Sequence, residues 1–331
     1  MDIKKTGIFQ NPIFVTLGAI LCCALWGSAT PFIKLGYKVM FPGGSPDVPS
    51  TILFAGIRFF AAGIITVLIY SIARRKLLYP KASNLPRVAV VALFQTVIQY
   101  FFFYVGLANT SGAKGTIISG SSSFFAILIS CLIMKQEKLS LKKIIACVIG
   151  FAGIIAVNMN GLTFDMNLMG DGFVLFSAIS LAISSVLIKV FSKHEDPVVI
   201  SGYQFILGGF VMIVLGLLLG GEIDFSDPSG IAILTYLSFL SAVAYALWGV
   251  LLKYNPVSRV TIFSFMTPVF GVLLTKLILP EESNVDAVAL IVALILVSLG
   301  VFLLNYVKAE KGTSDSVVPP SEADTTEKTN N

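Results

Sequence analysis

Residues 13 to 33 read IFVTLGAILCCALWGSATPFI. The run carries no charge and reaches the length, about 20 residues at ~1.5 Å each, that a helix needs to cross a hydrocarbon core. Despite Lys4 and Lys5 ahead of it, it is too long for the ~7–15-residue apolar stretch of a cleavable signal peptide, and it reads as a retained first helix. Similar runs follow at Thr51 to Ala73, Val88 to Ala108, Thr116 to Met134, Ile144 to Val157, Phe173 to Ile188, Pro197 to Gly221, Ile231 to Leu252, Thr261 to Leu279 and Ala287 to Val307, ten in all. The two shortest, Ile144 to Val157 and Phe173 to Ile188, must borrow flanking residues to span. Of 331 residues, 56% are hydrophobic and 12% charged, against roughly 25% charged in soluble domains. Long runs without alternation exclude a barrel, so the predicted fold is an all-α integral membrane protein with ten transmembrane helices.

Basic residues gather on alternate loops: Arg74, Arg75, Lys76, Lys81 and Arg87, then Lys135, Lys138, Lys142 and Lys143, then Lys193, then Lys253 and Arg259. By the positive-inside rule these loops face the cytoplasm, which places both termini there in a multi-pass cell-membrane protein. The opposite loops hold Asp47, Asp165, Asp171, Glu222, Asp224, Asp227, Glu281, Glu282 and Asp286. The net charge of +5 belongs to these divided loops and does not form a nucleic-acid surface. The tail at 309–331 is polar, rich in Ser, Thr and acidic residues, and is expected to be disordered.

The halves resemble each other at a slide of about 150 residues. Ile33 and Lys34 fall on Ile188 and Lys189; Gly56, Phe59 and Gly63 fall on Gly202, Phe205 and Gly209. Phe125, Leu128, Leu132 and Glu137 fall on Phe270, Leu273, Leu277 and Glu282, and Gly153 with Asn158 falls on Gly300 with Asn305. Each half holds five spans, an odd number, so the second half (170–308) must enter the membrane inverted relative to the first (1–160). Inverted repeats of this kind build transporters, because two pseudo-symmetric halves can offer one central site to either side in turn.

At ALWGSATPFIK (24–34), AGIRFFAAG (55–63), FYVGLANTSGAKGTIISGSSSFFAILIS (103–130), MKQEKLSLKKIIACVIGFAGIIAV (134–157) and MTPVFGVLLTKLILPEE (266–282), the sequence resembles the EamA-like transporters of the drug/metabolite transporter superfamily. The resemblance implies ten spans, two inverted five-helix repeats, cytoplasmic termini and movement of small metabolites, often outward. Ser123 stands where the family commonly has proline, while the second half keeps Pro268, and Lys276 is unexpected near the outer end of the ninth span.

Candidate substrate-binding residues are those costly to place in an apolar span. Pro31 removes a helix hydrogen bond and is expected to bend or half-break the first helix beside a cavity, with Lys34 about one turn beyond. Lys34 either lines that cavity or snorkels to the headgroups. Arg58 lies roughly 10 Å into the second span. Centring an arginine in lipid costs at least ~2.5 kcal/mol, so Arg58 is expected to face the bundle interior, a water-filled cavity or the headgroups rather than hydrocarbon. Gln95 and Gln99 share a helix face and precede Tyr104; they either line the pathway or bond neighbouring helices. Ser122 belongs to a small polar patch opening the fourth span, and Trp26, Tyr245 and Trp248 add amphipathic aromatics suited to a pocket, a belt or the core.

The apolar runs contain no Asp or Glu, which disfavours proton exchange against cationic drugs and favours a substrate bearing a carboxylate. Cys22, Cys23, Cys131 and Cys147 lack a CxxC pairing, and His194 is the single histidine, so no metal or other cofactor is expected. An embedded enzyme would need a nucleophile with its base, a metal cluster or paired carboxylates, and the chain shows none; a Walker phosphate loop is also absent. The expectation is a secondary transporter, a probable exporter of small metabolites such as amino acids, with a lipid or isoprenoid carrier flippase or a drug efflux carrier as alternatives. The expected partners are the substrate and the bilayer. One GxxxG, Gly216 to Gly220, hints at helix association and leaves the oligomeric state open.

Overall fold

A computed structural model describes residues 7–41, 43, 46–159, 165–280 and 287–306. Lys4, Lys5, Glu281, Glu282, Asp286 and the tail at 309–331 lie outside the described residues. Ten helices are long and apolar enough to cross a membrane: α1 (Pro12–Met40), α2 (Val48–Arg74), α3 (Ala82–Ala108), α4 (Gly112–Ile133), α5 (Leu141–Asn158), α6 (Leu168–Phe191), α7 (Pro197–Leu218), α8 (Pro228–Tyr254), α9 (Val257–Ile278) and α10 (Ala287–Tyr306). Their outer faces carry exposed Leu17, Leu21, Ile72, Phe210, Ile291 and Ile295, as the absence of water around a membrane span requires. The two short apolar runs do borrow neighbours, extending to Leu141–Asn158 and Leu168–Phe191.

Several helices start at an acid or amide followed by proline. Asn11 Oδ1 accepts from Ile13 N at 2.9 Å, Asp196 Oδ1 from Val198 N at 2.9 Å and Asp227 Oδ1 from Ser229 N at 2.8 Å. In each case the side chain satisfies one orphan amide, and proline occupies a position where no amide is needed.

Long contacts join the halves. α2 packs along α7 and α5 along α10; α1 packs on α8 and α9, while α6 packs on α3 and α4. Exchanging each helix of the first half with its counterpart in the second leaves this pairing unchanged, in agreement with the repeat seen in the sequence.

Glycines set the closeness of the two same-rank pairs. A Cβ on Gly56 would meet Ile213 N at 2.6 Å, one on Gly63 would meet Gly202 O at 2.6 Å, and one on Gly209 would meet Phe60 N at 2.4 Å. Along the second pair, a Cβ on Gly300 would meet Ala146 O at 2.7 Å. Small residues permit such backbone approach where lipid tails give no hydrophobic drive for helices to associate. Gly216 belongs to the first contact: its Cβ would meet Leu53 N at 2.7 Å. Gly216 of the GxxxG pair is therefore used inside the chain against α2, while a Cβ on Gly220 would meet nothing within 4 Å.

Candidate functional site

Of the bend or half-break expected at Pro31, the break does not occur. α1 runs unbroken from Pro12 to Met40 with Pro31 buried inside it, because neighbouring helices can hold a proline-bearing span in place. At Gly27, whose carbonyl Pro31 leaves without its usual donor, α1 lies against α9 so closely that a Cβ would meet Gly271 N at 2.8 Å. The irregular turns lie elsewhere. α3 widens into a π turn at Leu93–Ile98, α4 is interrupted at Ser121 and widens again at Ile129–Ile133, and α9 tightens to a 3-10 turn at Ile262–Phe265. Such turns free backbone groups and redirect side chains.

α3's π turn carries Gln95, 2% exposed, and Gln99 follows it at 7%. Both amide oxygens are shielded from solvent without a hydrogen-bond partner, as are Trp26 Nε1 and Ser119 Oγ. Buried polar atoms are normally satisfied, so the unmet oxygens of Gln95 and Gln99 on α3 are acceptors open to a ligand.

Arg58 lies on α2, its guanidinium 5.1 Å from the Phe59 ring centre. It is 4% exposed, and its Nη2 and Nε donate to Ser241 Oγ on α8 at 2.9 and 3.2 Å. Ser241 in turn donates to Leu237 O at 2.8 Å. The Tyr100 and Tyr245 hydroxyls share a hydrogen bond at 2.9 Å, and both, with Tyr104, lie within electrostatic reach of the guanidinium. Trp26 meets Tyr245 and Trp248 edge-on, each at 5.0 Å between centroids. These aromatics are core residues of the bundle rather than a belt at its ends.

Phe59 and Phe205, matched in the repeat, stack on each other at 5.1 Å and 7°. The two halves thus meet through equivalent residues, with Arg58 on one side and its counterpart Gln204, bonded by Thr96 Oγ1 at 2.7 Å, on the other. The sequence reading missed Ser241, Phe59 and Phe205 as parts of the site. The Phe59–Phe205 match was the available signal, since a residue on a two-fold axis meets its own counterpart.

Not every candidate joins this cluster. Ser122 is buried just beyond the interruption of α4. Ser123, at the position commonly proline, donates to Thr261 O at 3.0 Å and bonds Ser264 Oγ, tying α4 to the 3-10 turn of α9. Lys34 is half-buried on α1, one turn past Pro31. Its repeat counterpart Lys189 donates to Lys253 O at 3.0 Å and Asn255 O at 2.8 Å, closing the end of α8.

Each end of α4 is fastened to the second half. At one end Lys114 Nζ meets Asp171 Oδ2 at 2.8 Å, with side chains 8% and 1% exposed, and Thr110 Oγ1 and the Asn167 amide also bond Asp171. α6 begins at Leu168 and takes Asp171 into its first turn, just ahead of the apolar run Phe173 to Ile188, which holds no carboxylate. At the other end Glu137 pairs with Lys143 at 3.0 Å and accepts from Ser258 N at 3.1 Å and from Ser258 Oγ at the start of α9. Burial alone would raise the Glu137 pKa, but the Lys143 ammonium and the Ser258 bonds outweigh it and hold the carboxyl below its ordinary range.

An apolar-coated bundle with polar groups gathered at the joint of two similar halves defines a membrane transporter by class. The EamA-like transporter family model matches residues 13–159 and again 168–306, and the chain belongs to that family. A chloroplastic WAT1-related protein of Arabidopsis thaliana is 25% identical over 294 residues, covering 85% of this chain and 67% of that protein. An uncharacterized transporter of Synechocystis sp. is 26% identical over 275 residues, covering 76% and 81%. A crystal structure 17% identical in sequence superposes with a TM-score of 0.72 over 87% of this chain and 97% of its own, which establishes the shared fold.

Proposed function

We propose that this chain is a secondary transporter that moves small carboxylate-bearing metabolites such as amino acids, with net export, by alternating access at the joint of two inverted five-helix halves. It sits in the cell membrane with the basic loops and both termini in the cytoplasm. The observation that carries the substrate reading is Arg58, a buried guanidinium that donates to one neutral hydroxyl, Ser241. Among the described residues no acidic side chain pairs with it, and a substrate carboxylate would supply the missing charge in geometry suited to a planar fork of donors. The unmet Gln95 and Gln99 oxygens would accept from an ammonium, and the aromatic walls would cover the carbon skeleton. A ligand held this way takes its polar contacts from the first half and part of its aromatic wall from Tyr245 and Trp248 of the second, and rocking one half against the other would uncover it first on one face and then on the other.

Proteoliposomes loaded with a labelled amino acid provide the test. The parent protein is expected to release label, and Arg58→Gln to lose at least ~10-fold of carboxylate transport, as removal of a buried charge contact worth ~1.5–3 kcal/mol predicts. Unchanged preference for carboxylates in Arg58→Gln would remove the electrostatic part of the proposal. Scrambling of labelled lipid without solute release would favour a flippase instead.

A further inference from the structure

A cavity of about 750 Å³ lies away from the central cluster, in the wall of the bundle between α2, α3 and α7. Phe60, Leu85, Ala89, Ile206, Leu207 and Phe210 form most of its surface. The one polar side chain reaching it, Tyr203, already donates its hydroxyl to Leu78 O at 3.0 Å. A hydrophilic metabolite would find nothing to bond there. The cavity opens sideways: Leu85 is 51% exposed and Phe210 55%.

Its cytoplasmic end adjoins the most basic stretch of the chain. Arg74, Arg75, Lys76 and Lys81 lie in or beside the α2–α3 loop, and Arg87 follows one turn into α3, next to cavity residues Leu85 and Pro86. The acids facing this loop are Glu195 and Asp196. Asp196 takes Arg74 at 3.8 Å and Tyr70, and Glu195 is occupied by Lys81 N at 2.9 Å and Asn84 Nδ2 at 3.0 Å. Arg87 bonds the neutral Asn84. Five cations thus face two acids, and Lys193 adds to the excess. α7 enters from the same side at Pro197, so Phe210 marks a depth of about 20 Å along that helix.

We propose that this groove binds one anionic glycerophospholipid, its acyl chain along α7 and its phosphate among Lys81, Arg87 and the α2–α3 loop. Basic clusters just cytoplasmic of membrane helices, and basic pockets between them, are the expected sites for such headgroups. Charge complementarity at the mouth and apolar depth behind it point to the same molecule, which a second copy of this cationic loop would not satisfy.

The full chain is purified from bilayers containing equal phosphatidylglycerol and phosphatidylcholine, and retained lipid is counted by native mass spectrometry. The parent is expected to keep one phosphatidylglycerol in preference to phosphatidylcholine. Lys81→Gln and Arg87→Gln are expected each to lower that preference by roughly fivefold. Ala89→Trp, or Leu207→Trp from the opposite wall, fills the groove and is expected to abolish retention of both lipids. All four variants should keep the parent's elution profile in phosphatidylcholine, which separates loss of lipid from loss of fold. Equal retention of both lipids by the parent, an unchanged preference in the two charge variants, or lipid still held in folded Ala89→Trp and Leu207→Trp would each overturn the proposal.

Discussion

Gln95 and Gln99 hold buried carbonyl oxygens with no hydrogen-bond partner in the protein. An unsatisfied buried acceptor costs about 1–3 kcal/mol, so Gln99→Leu, similar in volume, is expected to melt no lower than the parent while transport falls. A drop in melting temperature with intact transport would mean the amide is structural. The same logic separates Arg58 from its neighbours. Ser241→Ala removes the hydroxyl that holds the guanidinium and is expected to lower transport less than Arg58→Gln does, because the charge stays; proteoliposome release rates compare the two directly. Both glutamines stood out in the sequence because amides are rare in such oily company. Ser241 did not, because serines are scattered through every span and only the position of Arg58 gives this one meaning.

The element whose behaviour differs most from expectation is α4. Lys114 and Asp171 bracket apolar runs in the sequence and look like loop charges, yet their helices start early enough to bury both. Opposite charges at the same depth on consecutive outer connections were the signal, and it needs a partner assignment that hydropathy alone does not supply. Lys114→Met leaves Asp171 buried without its cation and is expected to cost about 3–5 kcal/mol, with the double change Lys114→Met/Asp171→Asn recovering most of it; thermal unfolding in detergent measures both. At the other end, the Glu137 pKa is depressed by folding. The stability it contributes is therefore complete above the ordinary carboxylate value of about 4.3 and fades as pH falls through the lower folded-state value. Acid titration of the melting temperature should show this fading in the parent and not in Glu137→Gln. Pro31 shows the converse lesson. A proline marks a missing bond, but whether a helix breaks there depends on its neighbours, and α9 presses on α1 one turn before it.

For the whole molecule, hydropathy located all ten spans because a membrane asks each helix to satisfy its own backbone. The interior arrangement was legible only through the repeat, in which Phe59 matches Phe205, the residue it stacks on. Orientation rests on charge alone and is open to direct measurement. Cysteines placed at Lys81 and Lys253 are expected to react with an impermeant thiol reagent from the same side of sealed vesicles, and one at Asp165 from the other. The native thiols Cys22, Cys23, Cys131 and Cys147 are buried and should contribute little background.

The glycine-lined contacts of α2 with α7 and of α5 with α10 constrain how such a molecule can move. Where main chain touches main chain there are no side chains to yield, so these seams have no slack and lipid cannot wedge them apart. They are fit to serve as axles but not as doors. On the proposed alternating access, the doorway forms where the halves are joined by detachable polar latches, at the two ends of α4.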